Sequence, residues 1–381
     1  MKASIIGAGI AGLTTAIALE KIGIKSTIFE STPTIKAVGA GLVLAGNAIK
    51  AFQNLGIAEE VMSLGLLLPS FTIYDQKGKP ISKIDSKVIN EKYGVGNFTI
   101  HRAELHKFLL SKINSDNIHT NKQAINIENK EDSVIVSFQD GSIHETDFLI
   151  IADGIHSKIR KQLLPNTEPR YSGYKCWRAV IDNSTLNLTE TSETWSTVGR
   201  FGIAPLADHK IYWFACINSP QNNDAKKQFK VAELQNHFKA FHEPIPTILK
   251  HTKNENLIWN DIIDLKPIKQ YAFDNVVLIG DAGHATTPNM GQGACLAIED
   301  AVILADELNN NSDIKIAFKQ FEKRRLKRIH YIVNTSWEIG KLAQTENKLL
   351  ASIRDFVFRH IPESVNEQQL KTIYDVDFTS H

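Results

Sequence analysis

The chain opens with a glycine-spaced turn, GAGIAG at residues 7–12, which constrains the fold more than any other feature of the sequence. The turn follows a short β-like run and opens a segment of helical composition at residues 11–22, the context in which GxGxxG binds a dinucleotide. Gly7 permits the tight turn, Gly9 lets a pyrophosphate approach the backbone, and Gly12 lets the helix pack closely on the sheet. The free amides at the positive end of this helix are then expected to hold phosphate charge.

An acidic residue ends the next β-like run. Glu30 lies 18 residues after Gly12 (30 minus 12), where its carboxylate can accept hydrogen bonds from both ribose hydroxyls of a dinucleotide. This acid favours a free 2′-hydroxyl, which predicts FAD or NAD rather than NADP. The other interpretation, a glycine-rich turn without a ligand, is disfavoured because strand, helix and terminal acid occur together. The turn alone does not distinguish FAD from NAD.

Segments typical of a nucleotide-binding fold recur at the start, the middle and the end of the chain. Buried-strand patterns at residues 147–152 and 275–279 resemble the first strand, and the stretch between them is β-rich, with candidate strands at 177–181, 194–204 and 210–217. The pattern predicts an α/β protein in which a Rossmann-like domain is interrupted by a β-rich substrate-binding domain and followed by C-terminal helices. The expected boundaries are 1–70, 98–170 and 264–342 for the Rossmann-like domain, 71–97 and 171–263 for the β-rich domain, and 343–381 for the C-terminal helical segment.

The composition excludes several classes of partner. Lys and Arg number 43 against 42 Asp and Glu, a formal charge of +1, so no strong field attracts nucleic acid or an anionic membrane. No run approaches the ~18 consecutive apolar residues that a transmembrane helix needs. The three cysteines lie far apart without CxxC spacing, which predicts neither a disulfide framework nor a metal site. A soluble, cytoplasmic protein that acts on a small molecule is expected.

Two later segments decide between the two nucleotides. Residues 149–160 (LIIADGIHSKIR) and 276–284 (VVLIGDAGH) are β-like runs that end in an acid beside a glycine. Together with the opening turn, they resemble the class A, single-component FAD-dependent aromatic-ring hydroxylases (monooxygenases), which have a para-hydroxybenzoate-hydroxylase-like fold. The resemblance extends over nearly the whole chain, and the most similar branches are urate-hydroxylase-like and zeaxanthin-epoxidase-like.

The resemblance implies a tightly bound FAD, NAD(P)H as a transient co-substrate, and O2. Reduced flavin would react with O2 to give a C4a-hydroperoxide, which hydroxylates a small aromatic, heterocyclic or polycyclic substrate. Asp281 is expected to bond the ribityl chain, and the helix that starts near residue 294 is expected to direct its amides at the N1–C2=O edge of the isoalloxazine. The residues expected to bind the cofactor are Gly7, Gly9, Ala11, Gly12, Glu30, Arg102, Ala124, Asp153, Gly154, Gly280, Asp281, Pro288, Gly291, Gln292 and Gly293.

Two of these assignments have a structural alternative. A surface salt bridge is the alternative for Arg102, and capping of the next helix is the alternative for Asp153. The spacing of Gly39-Ala40-Gly41 does not form a second GxGxxG, so a dedicated nicotinamide-binding Rossmann domain is not expected. Lys36 is a candidate contact for NAD(P)H, with a solvated lysine as the alternative.

Two residues of the β-rich part are candidates for substrate contact and catalysis. Arg200 and Tyr212 flank residues 204–206 and resemble the arginine and tyrosine that hold the substrate in the urate hydroxylase branch, although Asn289 stands where that branch has an acid. A structural ion pair and ordinary strand packing are the respective alternatives. Alternate residues of a strand share a face, so neighbours in sequence point to opposite sides. Further substrate-facing candidates are Trp177, Arg178, Phe201, Trp213 and Phe214.

Other functions remain open at this point. A flavin-dependent dehydrogenase, oxidase or reductase of the same fold would lack oxygen insertion, and a non-catalytic flavoprotein would not consume NAD(P)H. His284, close to Asp281, is expected to fix its loop rather than to act as a base. The chain is expected to be a monomer or homodimer with no nucleic-acid partner and no stable membrane association. The sequence leaves open the substrate, the position hydroxylated and the choice between NADH and NADPH.

Overall fold

The computed structural model describes residues 1–35, 39–94 and 96–379. The strands in these ranges, numbered along the chain, are β1 (Ala3–Ile6), β2 (Ser26–Phe29), β3 (Gly41–Leu44), β4 (Gly65–Leu67), β5 (Ser70–Asp75), β6 (Pro80–Asp85), β7 (Phe98–His101), β8 (Ile118–His119), β9 (Ala124–Asn129), β10 (Val134–Phe138), β11 (Ile143–Thr146), β12 (Phe148–Ile151), β13 (Arg170–Asp182), β14 (Thr191–Ser196), β15 (Gly199–Leu206), β16 (Lys210–Asn218), β17 (Ile258–Asp264), β18 (Ala272–Phe273) and β19 (Val276–Leu278). The helices are α1 (Ile10–Lys21), α2 (Gly46–Leu55), α3 (Ala58–Met62), α4 (Ser86–Tyr93), α5 (Arg102–Ser111), α6 (Lys158–Leu163), α7 (Asp224–Lys227), α8 (Val231–Phe238), α9 (Ile245–His251), α10 (Asp281–His284), α11 (Gly293–Asn310), α12 (Ile314–Ala343), α13 (Lys348–Arg359) and α14 (Glu363–Tyr374).

One sheet, which we call the N-terminal sheet, has the strand order β18-β19-β12-β1-β2-β8. β1 pairs in parallel with β12 and β2, and β12 pairs in parallel with β19. The central strands are continuous apolar runs, as expected for parallel strands covered on both faces, and Ile5, Ile150 and Val277 are fully buried. The carboxyl ends of β1, β12 and β19 therefore meet at one edge. The turn at residues 7–12 and the two acid-glycine pairs follow these strands directly.

Helices cover this sheet, and the long α12 shows how their apolar patterns are used. No helix in the described ranges combines the length and the apolar composition that a bilayer crossing requires. Arg325, one of the basic residues of α12, is fully buried. The apolar residues of α12 that face the core are each 1% exposed or less: Phe318, Phe321, Ile329, Ile332 and Val333.

A second sheet, the large sheet, has the strand order β17-β13-β16-β15-β14-β5-β6. The single strand predicted at residues 194–204 is wrong, because the chain reverses after Ser196 and β14 pairs antiparallel with β15. Gly199 lies at the reversal with a φ of +144°, and both flanking segments are β-prone, so the sequence pattern continues across the turn. The strands predicted at 177–181 and 210–217 are confirmed within β13 and β16.

Two helices, α8 and α9, cover one face of the large sheet, in a stretch for which the sequence indicates only strands. Trp177, Phe201 and Trp213 lie beneath them in one apolar cluster, and the rings of Phe201 and Trp213 stack at 5.2 Å between centroids. The prediction that these three residues face the substrate is therefore wrong. Their side chains are those that the alternation of a strand directs to the covered face.

The opposite face of the large sheet, which we call the inner face, carries the other candidates. Arg178 on β13 lies directly opposite Phe214 on β16, and Tyr212 lies on β16 two residues before Phe214. Arg200 on β15 lies opposite a residue of β16 whose side chain points to this same inner face. The inner face meets the first part of the chain, where Thr99 of β7 donates its hydroxyl to the carbonyl of Pro205 at 2.6 Å.

Candidate active site

The three motifs found in the sequence meet at the edge of the N-terminal sheet. A Cβ on Gly7, which has a φ of +106°, would come within 2.5 Å of the carbonyl oxygen of Ala152. A Cβ on Gly280, at a φ of +56°, would come within 2.8 Å of the Cβ of Ala11. Both positions combine a left-handed backbone with a close approach, which glycine alone accommodates. The turn at residues 7–12 is therefore packed against the segments that carry the two acid-glycine pairs.

Helices α1 and α11 both begin without a side-chain cap. Their N-cap residues are Gly9, which has no side chain, and Gln292, whose side chain accepts no hydrogen bond from the first amides. By contrast, the side chains of Asp313 and Asn347 cap α12 and α13. Free amides at a helix start, together with the helix dipole, bind anions. A Cβ on Gly9 would meet no atom within 4 Å, so space lies beside the start of α1. The two helix starts fit the pyrophosphate and the reduced flavin ring of FAD.

Glu30 is fixed against the turn by its own hydrogen bonds. Its carboxylate accepts from the backbone N–H of Ala8 at 2.9 Å and from that of Thr32 at 2.9 Å, and also from the hydroxyls of Ser31 and Thr32. Burial would raise the pKa of Glu30, but these hydrogen bonds outweigh burial and lower the pKa below its ordinary value. Glu30 is therefore an anion at neutral pH, placed beside the turn where it can accept a ribose hydroxyl.

Asp153 follows β12 and has an unsatisfied carboxylate oxygen. Its Oδ1 is shielded from solvent without a hydrogen-bond partner in the described part of the chain, and burial raises the pKa of Asp153 to about 6. The interpretation of Asp153 as a helix cap is wrong, because Ser157 is the N-cap of α6 and its Oγ accepts from the N–H of Arg160 at 3.0 Å. A Cβ on Gly154 would meet no atom within 4 Å. Asp153 therefore retains an acceptor for a ligand.

Arg102 and Ala124 lie at the starts of two elements, α5 and β9. Arg102 is exposed at the start of α5, and its side chain lies against Gly39, where a Cβ would come within 2.9 Å of its Cδ. Arg102 forms no ion pair with any residue that the structure describes, so the salt-bridge alternative finds no support there. Ala124 is buried at the start of β9. Just before it, Lys122 donates its backbone N–H to the carbonyl oxygen of Glu30 at 2.8 Å.

The loop between β19 and α11 presents the second acid-glycine pair. Asp281 and Pro288 are exposed, and Gly291 has a φ of +63°. Gln292 is buried, and its side-chain oxygen accepts from Nδ2 of Asn47 at 2.9 Å; the glycine after it begins α11. The loop is therefore anchored at Gln292, while Asp281 and Pro288 remain accessible to a ligand.

A buried ionic network holds this loop and α11 together, and the sequence analysis missed it. Arg325 donates to Glu299 at 2.6 Å and to Asp300 at 2.8 Å. Asp300 also shares a hydrogen bond with Nε2 of His284 at 2.6 Å and accepts from the N–H of Gly280 at 2.9 Å. Burial would raise the pKa of Asp300, but His284 and Arg325 outweigh burial and lower the pKa. His284 therefore fixes its loop, as expected, through its hydrogen bond to Asp300. In the sequence, Asp300 looks like any other charged residue of a helix.

Arg200 is anchored on the inner face. Its side chain is 2% exposed, donates to Oε1 of Glu193 at 3.1 Å and to Oδ1 of Asn289, and lies over the ring of Tyr174 at 5.1 Å. Tyr174 also donates its hydroxyl to Oδ1 of Asn289, at 3.1 Å. The structural ion pair considered for Arg200 is therefore present, and the amide oxygen of Asn289 accepts from the arginine where the urate hydroxylase branch has an acid.

Tyr212 and Phe214 lie against two glycines. A Cβ on Gly41 would come within 2.5 Å of the ring of Tyr212, and a Cβ on Gly202 would overlap the ring of Phe214. Burial raises the pKa of Tyr212 above its ordinary value, so its phenol is neutral at physiological pH. Gly39 and Gly41, which do not form a second dinucleotide turn, thus make room for the side chains of an arginine and a tyrosine. Sequence reasoning missed this role because it depends on residues distant along the chain.

Comparison with known proteins gives three close similarities besides the family match. Residues 1–315 match the FAD binding domain family. The chain is 35% identical over 376 residues to the Aurachin C monooxygenase/isomerase of Stigmatella aurantiaca, covering 98% of this chain and 97% of that protein. It is 31% identical over 339 residues to the FAD-dependent urate hydroxylase of Klebsiella oxytoca, covering 87% and 88% of the two chains. The crystal structure of Klebsiella pneumoniae HpxO complexed with FAD and uric acid has a TM-score of 0.90 at 28% identity, covering 98% of this chain and 96% of that one.

Proposed function

This chain belongs to the FAD binding domain family and is an FAD-dependent monooxygenase, and we propose that it uses NAD(P)H and O2 to hydroxylate a small aromatic, heterocyclic or polycyclic substrate. The family resemblance and the α/β fold inferred from the sequence are confirmed. The observation that supports the proposal most is the loop before α11. Gln292 at its end is the N-cap residue of a helix that lacks a side-chain cap, and Asn289 within the loop accepts a hydrogen bond from Arg200 of the inner face. A flavin at the start of α11 would therefore lie beside the inner face.

The cofactor side of this proposal uses the amides of two helix starts without a side-chain cap and two carboxylates that follow strands. Bound FAD would supply the electron transfer from NAD(P)H and the activation of O2. The amides at the start of α1 bind its pyrophosphate, Glu30 its ribose and Asp281 its ribityl chain. The amides at the start of α11 stabilise negative charge at the N1–C2=O edge of the ring. Lys36, the candidate contact for NAD(P)H, lies outside the described residues.

The substrate side is built from the inner face. Tyr212 and Phe214 provide aromatic surface for a flat substrate, and Arg200 fixes the loop at Asn289. Together these side chains keep water out of the space between the large sheet and the flavin. A dry site is required because water or stray protons would release the activated oxygen as hydrogen peroxide.

Asp281→Ala is expected to weaken FAD binding roughly 10- to 100-fold, because a charge-assisted hydrogen bond to the ribityl chain is lost. The measurement is the dissociation constant of FAD, obtained by titrating the apoprotein and following flavin fluorescence. Asp132→Ala removes an exposed carboxylate from the turn between β9 and β10 and is the matched control. Equal FAD affinity in the two variants would argue against this role for Asp281.

The proposed reaction is tested by supplying isotopically labelled O2. A panel of aromatic, purine and polycyclic compounds is screened for stimulated NAD(P)H oxidation, and each product is examined for one labelled oxygen atom. Incorporation of label supports hydroxylation. Substrate oxidation without label would instead identify a dehydrogenase or an oxidase of the same fold, and no stimulation by any compound would contradict the proposal for these substrate classes.

Tyr212→Phe is expected to lower substrate-stimulated NAD(P)H oxidation about 10-fold, because one hydrogen bond to the reacting substrate is lost. FAD content should not change, since Tyr212 lies on the substrate side. Tyr93→Phe removes a hydroxyl from a ring that stacks on Tyr374 in another part of the chain and serves as the control. Wild-type turnover in the Tyr212 variant would remove the phenol from the proposed pocket.

A further inference from the structure

Arg178 is a half-buried arginine on the inner face that lacks an acidic partner. It lies on β13, and its Nε is shielded from solvent without a hydrogen-bond partner. No carboxylate in the described ranges forms an ion pair with its guanidinium. The neighbouring Cys176 raises the pKa of Arg178 against the effect of burial, so the group stays charged. A half-buried cation without a carboxylate partner is costly, which makes a ligand that carries negative charge the natural partner.

Arg200, by contrast, has an acidic partner inside the protein. Its charge is neutralised by Glu193 at 3.1 Å, and one of its Nη atoms donates to Asn289. The carboxylate of Glu193 is itself 9% exposed, so this ion pair is internal to the sheet. The positive charge that the inner face offers to a ligand is therefore that of Arg178.

The neighbours of Arg178 define the shape of the ligand. Phe214 is directly opposite on β16, and Ile258 is directly opposite on β17. Directly opposite residues have Cβ atoms only about 5 Å apart, so a flat ring lying on Phe214 would present its edge to the guanidinium. The ring of Phe214 lies against the backbone of Gly202, where a Cβ would overlap it, and Phe214 is half-buried beside Arg178.

We propose that Arg178 is the substrate-binding cation of this enzyme and that its guanidinium donates hydrogen bonds to an oxygen attached directly to the aromatic ring of the substrate. This inference rests on the proposed function and specifies its substrate class. The class is a planar aromatic heterocycle with a ring oxygen, present as a lactam carbonyl or as its oxyanion. Hydrogen bonds from a cation favour the anionic form of such an oxygen, and an oxyanion makes the ring electron-rich, as oxygen transfer to it requires.

The test compares a pair of probes that differ in one oxygen. FAD-loaded wild-type protein, Arg178→Gln and Arg178→Lys are titrated with 4-hydroxyquinoline and with quinoline, and binding is followed by the change in flavin absorbance. Arg178→Gln should weaken binding of 4-hydroxyquinoline roughly 10- to 100-fold, the effect of losing a hydrogen bond from a charged donor. Arg178→Lys should restore part of the affinity. Quinoline, which lacks the oxygen, should bind all three proteins equally.

Controls separate a binding role from a folding role. Lys239→Gln removes the same charge at an exposed position after α8, on the covered side of the large sheet, and should bind both probes like the wild type. FAD content and melting temperature are measured for each variant. If Arg178→Lys recovers affinity for 4-hydroxyquinoline and quinoline binding is unchanged, the weaker binding by Arg178→Gln reflects lost recognition of the oxygen and not a damaged pocket.

Each outcome distinguishes this inference from the proposed function. Equal affinity of the wild type and Arg178→Gln for 4-hydroxyquinoline would overturn the role of Arg178, even if the wild type hydroxylates a compound. Failure of the wild type to bind 4-hydroxyquinoline more tightly than quinoline would overturn the substrate class. If Arg178→Gln loses affinity but the wild type incorporates no labelled oxygen into any compound, the binding role stands and the proposed hydroxylation fails.

Discussion

Gly12→Ala is expected to destabilise the folded chain strongly. A Cβ on Gly12 would overlap the carbonyl oxygen of Gly7 and come within 3.2 Å of a methyl group of Ile5. The overlapping atom belongs to the backbone of the turn, which is itself packed against β12, so no side-chain rotation relieves the contact. Overpacking of this kind costs about 3 kcal/mol or more in the free energy of unfolding. Thermal unfolding, followed by circular dichroism with and without added FAD, measures the loss.

Gly9→Ala is the matched control for that variant, because it changes a glycine of the same turn. A Cβ on Gly9 meets no atom within 4 Å, and its φ of −78° suits any residue. The apoprotein should therefore fold with nearly wild-type stability. The methyl group would occupy the space through which the pyrophosphate approaches the backbone, so FAD affinity should fall by roughly 100-fold. If both variants unfold alike, or both bind FAD like the wild type, the assignment of separate roles to these two glycines is wrong.

Arg325→Met is expected to destabilise the protein by about 3–5 kcal/mol, because it removes the buried cation that Glu299 and Asp300 share and leaves them only Arg328 and His284, respectively, as ionic partners. Glu299 and Asp300 are both 0% exposed, and each accepts a hydrogen bond from Arg325. Methionine fills a similar volume, so the expected loss arises from uncompensated charge and not from a cavity. Chemical denaturation of the FAD-loaded protein gives the change in the free energy of unfolding.

The adjacent Arg324 provides the control for the buried arginine. It pairs with Asp306 and with the buried Glu307, but its own side chain is 21% exposed, so Arg324→Met should cost less than Arg325→Met. The double variant Arg325→Met with Asp300→Asn should recover part of the stability, since one unpaired charge is removed with its partner. Equal losses for Arg324→Met and Arg325→Met would show that burial of the network does not determine its contribution.

Most of the cofactor side could be predicted from the sequence because its signals are local. The turn at residues 7–12 needs glycines at fixed spacing, and the parallel strands around it are short apolar runs that end in turn residues. Glu30 and Asp281 stand at the ends of such strands, so their positions follow from the strand boundaries. The long helices α11 and α12 could also be predicted, because their apolar residues repeat with the period of a helix.

The inner face was only partly predictable, since it depends on strand pairing. Trp177 and Trp213 are of a residue type common in substrate-binding sites. The alternation of side chains along β13 and β16, however, places both on the covered face. The reversal at Gly199 was missed for a related reason: both flanking segments favour strands, and only pairing across the sheet shows where one ends. Arg178 and Arg200 look alike in the sequence, yet one is paired with Glu193 and the other is not.

By itself the sequence determined the dinucleotide turn, the parallel strands and the order of the motifs, because each arises from interactions between residues a few positions apart. Only the tertiary structure decided which arginine is free and how α11 is held. Asn47, Glu299 and Arg325 are separated by 252 and 26 residues (299 minus 47, 325 minus 299) and meet in one buried network. Such contacts leave no periodic signal, since a charged residue that faces solvent and one that is buried against a distant partner have the same local sequence.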